Sequence, residues 1–155
     1  MLDWLRKTVL RIVYNPEVLI SLIHDKWKPY SSGEIRGSKI KSILKELGTK
    51  NIFISDSKYK KISKNVVKEF LSNDMTDLRK YVPEKYDCDN YSFSLMGKAS
   101  YLLSGYAIGI VWADTPNGKH ALNFYIDKYE AFWFIEPQTD EIFYDGAIKP
   151  FLAII

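Results

Sequence analysis

The chain has 155 residues, of which 46% are hydrophobic, 26% charged and 15% aromatic, a composition that excludes a disordered chain or a disulfide-stapled mini-protein and suits one ordered domain. Its net charge of +3 hides two unlike halves: 18 basic against 10 acidic residues up to Tyr86, net +8, and 4 against 9 from Asp87 onward, net −5. A single cysteine excludes an internal disulfide, and no run of 18 apolar residues exists to span a membrane.

Leu2, Leu5, Val9, Ile12 and Val13 recur at helical spacing, and Asn15-Pro16 opens a second helix carrying Val18, Leu19, Leu22 and Ile23. His24 lies inside that amphipathic pattern and reads as structural. The stretch lacks the order of a secretory signal peptide. Lys28 to Gly37 is loop chemistry, followed by a helix from Ser38 that carries Ile40, Ile43, Leu44 and Leu47 and stops at Gly48. Asn51 to Ser55 reads as a strand, Tyr59 to Ile62 as a shorter one, and Ser63 as the cap of a helix through Val66, Val67, Phe70 and Leu71.

From Asp87 the pattern changes. A long helix is expected from Cys88 to about Leu103, with Gly105 as its stop. Tyr106 to Trp112 is an almost continuous apolar run, Pro116-Asn-Gly a turn, His120 to Ile126 an alternating strand, and Ala131 to Glu136 and Glu141 to Tyr144 two more. Helices followed by consecutive strands indicate an α+β fold with an antiparallel sheet. The expected organisation is an N-terminal helical extension, 1–55, packed on a core of 56–155, together one compact body.

Cys88 stands at the start of the longest helix, where unpaired N–H groups and the helix dipole favour a thiolate, although a free cysteine is equally at home as a small buried hydrophobe. Asp87 is placed as the N-cap and Asp89 in the first turn. His120 shares a strand face with Leu122, Phe124 and Ile126. With a three-residue hairpin loop, Asp127-Lys-Tyr129, His120 falls directly opposite Glu136 on one face. Cys88, His120 and Glu136 thus fit the roles of nucleophile, base and orienter.

The motifs Tyr86-Asp-Cys-Asp-Asn-Tyr-Ser-Phe, Ile108-Gly-Ile-Val-Trp, His120-Ala-Leu-Asn and Trp133-Phe-Ile-Glu-Pro-Gln-Thr-Asp resemble the papain-like C-terminal domain of fungal agglutinins of the Marasmius oreades type and related stand-alone phage and prokaryotic proteins. The likeness covers roughly residues 56–145. It implies a papain-like, transglutaminase-type fold with the catalytic helix packed on the sheet, and a cysteine protease triad carried over to Cys88, His120 and Glu136. It also implies dependence on calcium or manganese, with Asp89, Asp87 and Asn90 as metal candidates, and no organic cofactor. The lectin domain of those agglutinins has no counterpart in residues 1–55.

The leading expectation is therefore a thiol hydrolase acting on a peptide or protein substrate through an acyl-enzyme, cytoplasmic or virion-associated, with a homodimer left open. The alternative is a catalytically silent, virus-associated structural or binding protein with a basic N-terminal half. Nucleic acid is not the expected partner, because no groove motif, stacking platform or phosphate loop is present.

Overall fold

The computed structural model describes residues 33–155. The two opening helices and His24 lie outside the described residues. Elements run β1 (Glu34–Arg36), α1 (Gly37–Glu46), β2 (Asn51–Phe53), β3 (Lys58–Lys60), α2 (Lys64–Asn73), α3 (Cys88–Leu102), β4 (Ile108–Thr115), β5 (Gly118–Ile126), β6 (Phe132–Glu136), β7 (Glu141–Phe143) and β8 (Lys149–Ile154). The architecture is mixed α and β, as the element pattern leads one to expect.

Six strands form one sheet in the order β2-β8-β4-β5-β6-β7, and β1 pairs with β3 in a separate two-stranded ribbon. Every neighbour in the large sheet is antiparallel except β2 and β8, which run parallel with Ile52 beside Ala153. The expectation of a wholly antiparallel sheet is corrected at that edge. β1 was expected as loop. It forms because Ile35 pairs with Tyr59, both buried, while the Glu34 and Lys58 side chains meet at 3.1 Å.

The helices follow their sequence signals. Ser63 caps α2 by accepting from the Val66 N–H, and the apolar stripe Val66, Val67, Phe70 and Leu71 is buried. α3 buries Tyr91, Ser92, Leu95 and Ala99 along one stripe. Two apolar cores flank the sheet. On one side α2 and α3 pack over Ile108, Tyr125 and Ile135; on the other, Ile40 and Leu44 of α1 pack over Val111, Leu122, Phe124, Ile126 and Phe134. The domain is thus three layers, with the sheet in the middle.

Two positions fix how closely the layers and strands approach. At Gly109 a Cβ would lie 2.4 Å from the Ile154 carbonyl oxygen and 2.5 Å from Phe124, so no larger residue fits. The loop between β5 and β6 is five residues, 127–131, not three. Asp127 organises it: one carboxylate oxygen accepts from the Tyr129 N–H at 2.8 Å and the Ala131 N–H at 2.9 Å, and the other from Trp133 Nε1 at 3.0 Å. Glu130 supplies the left-handed residue, φ 67°.

No helix among the described residues is long and apolar enough to cross a membrane.

Candidate functional site

The longer loop shifts the register by two. Ile126 pairs with Phe132 and Asn123 with Ile135, and continuing that ladder sets Glu136 beside Leu122. His120 is therefore diagonal to Glu136 and not directly opposite, but an odd loop of five keeps both on one face. The side chains close the diagonal, with His120 Nε2 2.6 Å from Glu136 Oε2. They are 26% and 18% exposed, so the bond is only partly screened by water.

Glu136 is held from its other side. Its Oε1 accepts from the Gln138 N–H at 3.2 Å and from Gln138 Nε2 at 3.3 Å. Its carbonyl accepts from the N–H groups of Thr139 at 3.2 Å and Asp140 at 2.9 Å. The turn after β6 thus wraps the carboxylate that fixes the imidazole. Against an ionised Glu136, neutral His120 donates from Nε2–H and leaves Nδ1 as an acceptor. No hydrogen bond engages Nδ1 among the described residues.

The pair opens into a cleft of about 430 Å³ lined by Asn117, Lys119, Leu122, Phe143, Asp145 and Ile148 among others. Its position follows from the hairpin between β4 and β5, which turns in two residues at Pro116-Asn117 with Gly118 at φ 115°. The cleft combines an aromatic ring, an amide, two carboxylates, an amine and an imidazole. Gln138, Lys119, Phe143 and Asp145 are among the residues at the site to which the sequence reading assigned no role. Gln138 and Asp145 depend on turns that alternation does not report.

Cys88 is elsewhere. It is the first residue of α3 and half-buried. α3 lies against the opposite face of the sheet: Asn123, one strand position out of phase with Leu122, donates Nδ2–H to the Ser92 carbonyl at 3.0 Å, and Leu95 and Ala99 pack with Tyr125 and Ile135. Cys88 makes no hydrogen bond to His120 or Glu136 among the described residues, and it does not line the cleft. The structure bonds His120 to Glu136, and Cys88 is hydrogen-bonded to neither among the described residues.

The proposed metal donors are spent within their own turn. Asp87 is the N-cap residue of α3, and its N–H donates to Asn90 Oδ1 at 3.1 Å, half of a capping box. The Asp89 carboxyl is held above the usual carboxylate range by a hydrogen bond with the Asp87 carboxyl, by desolvation and by the Asp87 charge. Among the described residues no three His, Cys, Asp or Glu side chains gather as a cation site.

Residues 59–142, more than half of the chain, match the family described as agglutinin C-terminal. The chain belongs to the agglutinin C-terminal family. No curated protein matches it. Among solved structures it is similar to one titled as a PSL1a-E64 complex, at 16% identity and a TM-score of 0.68, over 79% of this chain and 51% of that one. It is also similar to Polyporus squamosus lectin bound to the human-type influenza-binding epitope Neu5Aca2-6Galb1-4GlcNAc, at 16% identity and a TM-score of 0.66, over 79% and 49%. The chain of this agglutinin-family member spans about half the length of those solved chains.

These findings correct the main functional expectation. An agglutinin family and a fold shared with a lectin structure stand where a papain-like cysteine protease was expected. The peptide-hydrolase reading of the chain is withdrawn, and with it a peptide or protein substrate.

Proposed function

We propose that this member of the agglutinin C-terminal family is a non-covalent binding module whose cleft takes a hydroxyl-rich ligand of the saccharide class. The observation that carries this is His120: Nε2 is held by Glu136 at 2.6 Å, and the ring stands at the wall of a cleft with no hydrogen bond to Nδ1 among the described residues. Saccharide hydroxyls are donors and acceptors at once, and a site of planar polar groups fixed by second partners can sort them by position. Phe143 supplies the apolar face that the C–H side of a sugar ring would cover. Membership of an agglutinin family and the fold shared with a saccharide-bound lectin support the reading. It also agrees with the expected alternative of a binding protein that does no chemistry in its pocket.

The test is titration of the chain with a panel of neutral and sialylated mono- to trisaccharides, followed by calorimetry and by amide chemical shifts. A binder should perturb His120, Glu136 and Phe143, and His120→Ala or Phe143→Ala should weaken binding by roughly tenfold, about 1.4 kcal/mol. Absence of any saccharide response, or turnover of a ligand that depends on Cys88, would overturn the proposal.

A further inference from the structure

The turn that seats Glu136 ends on Asp140, a residue with φ 59° whose N–H is bonded to the Glu136 carbonyl. Its side chain enters a cluster that the cleft does not use. One Asp140 carboxylate oxygen is buried with no hydrogen-bond partner among the described residues. The charged groups acting on it are Asp77 and Asp74, from the segment after α2, and Lys98 of α3. Lys98 is already committed. Its Nζ lies 2.7 Å from Asp74 Oδ1 and donates to Thr76 Oγ1 at 3.0 Å, while Asp74 Oδ2 accepts from the Thr76 N–H. The ammonium that opposes the acidic groups around Asp140 is therefore paired with Asp74, whose side chain is 0% exposed.

We propose that Asp140 is a proton-operated latch on the turn that positions Glu136, so that acidification orders this wall of the cleft and neutral pH loosens it. The proposal rests on the binding reading above and adds its regulation. Deprotonated, Asp140 brings a charge into a pocket that already holds Asp74 and Asp77, and the repulsion acts on the turn. Protonated, it is neutral, and its hydroxyl can donate to a neighbouring carboxylate. Burial first, and then Asp77 and Asp74, raise the carboxyl to about 6, with Lys98 opposing them. The change therefore falls between mildly acidic and neutral conditions. The strain reaches Glu136 through a short path, since the Asp140 and Thr139 N–H groups both end on its carbonyl.

The experiment needs no ligand. In the full chain labelled with carbon-13 aspartate, the Asp140 carboxyl should titrate near pH 6. Protection of the Thr139 and Asp140 amides should be about tenfold greater at pH 5 than at pH 7.5. Asp140→Asn, a residue that tolerates the left-handed backbone, should hold the protected state at both pH values. Should that variant fold poorly, Asp77→Asn gives a second check, because removing a like charge should lower the Asp140 midpoint. A midpoint below 5 would overturn the latch. So would a change in protection that persists in Asp140→Asn, which would assign it to another group. Neither result bears on saccharide binding, and a failed saccharide titration would leave the latch standing.

Discussion

His120 and Glu136 were legible at the scale of single residues because strand alternation alone puts them on one face, whichever odd number of residues closes the hairpin. Gln138 was not legible as their support, because its two bonds to Glu136 depend on a turn that brings residue i+2 back over the carboxylate. That placement makes Gln138 a positioning residue. Gln138→Ala should weaken saccharide binding about three- to tenfold, the worth of roughly 0.5–1.5 kcal/mol in hydrogen bonding, with little change in melting temperature. Calorimetry alongside a thermal melt separates the two effects, and an equal loss of stability would make its role merely structural. Cys88 was readable as the first residue of a helix, but the face of the sheet that the helix covers was not, because helix periodicity does not report it. Cys88→Ala should leave saccharide affinity unchanged in the same titration.

Among elements, the three helices were readable to within a residue or two. Their stripes and caps are local, as in Ser63 for α2 and the Asp87 to Asn90 turn for α3. β1 and β8 were missed, since three residues beside Gly33 and Gly37, or a segment opening Lys149-Pro150, carry no alternation of their own. Such strands exist through their partners. The β5 to β6 loop shows how one side chain sets a register: Asp127 is almost fully buried and accepts three bonds. Asp127→Ala should cost about 1–3 kcal/mol in urea unfolding, since it leaves three part-buried donors, the Tyr129 and Ala131 N–H groups and Trp133 Nε1, without their acceptor. It should also broaden the His120 and Glu136 resonances, as the hairpin loses what fixes its length. Gly109→Ala tests the neighbouring strand, where the added methyl meets backbone as well as the Phe124 ring. A loss of about 1–3 kcal/mol is expected, with the β4–β8 pairing the first to open in hydrogen exchange.

For the molecule as a whole, the class was readable from element order, whereas the three layers and the parallel β2–β8 edge depend on contacts about 100 residues apart along the chain, as in Asn51 with Leu152. The charge division does have a structural counterpart, because the acidic part begins at α3 and supplies Asp140 to a cluster completed by Asp74 and Asp77 from the basic part. This gives stability a pH dependence of definite sign. In the unfolded chain the Asp140 carboxyl keeps its ordinary value of 3.8, and in the folded chain it is pushed up to about 6. Between those values the folded state keeps a proton that the unfolded state releases, so this group's contribution is full below about pH 4, falls as pH rises, and is gone above about 6. Asp89, also raised, acts in the same direction. A shift of that size would correspond to nearly 3 kcal/mol in a dry interior, but Asp140 is only partly buried and solvent reduces it to about 1 kcal/mol. The informative quantity is the difference between wild type and Asp140→Asn in urea unfolding. The variant should match wild type near pH 4 and exceed it by about 1 kcal/mol at pH 7. A difference that is constant with pH, or one that favours wild type at pH 7, would show that the Asp140 charge is stabilised in the fold and not opposed by it.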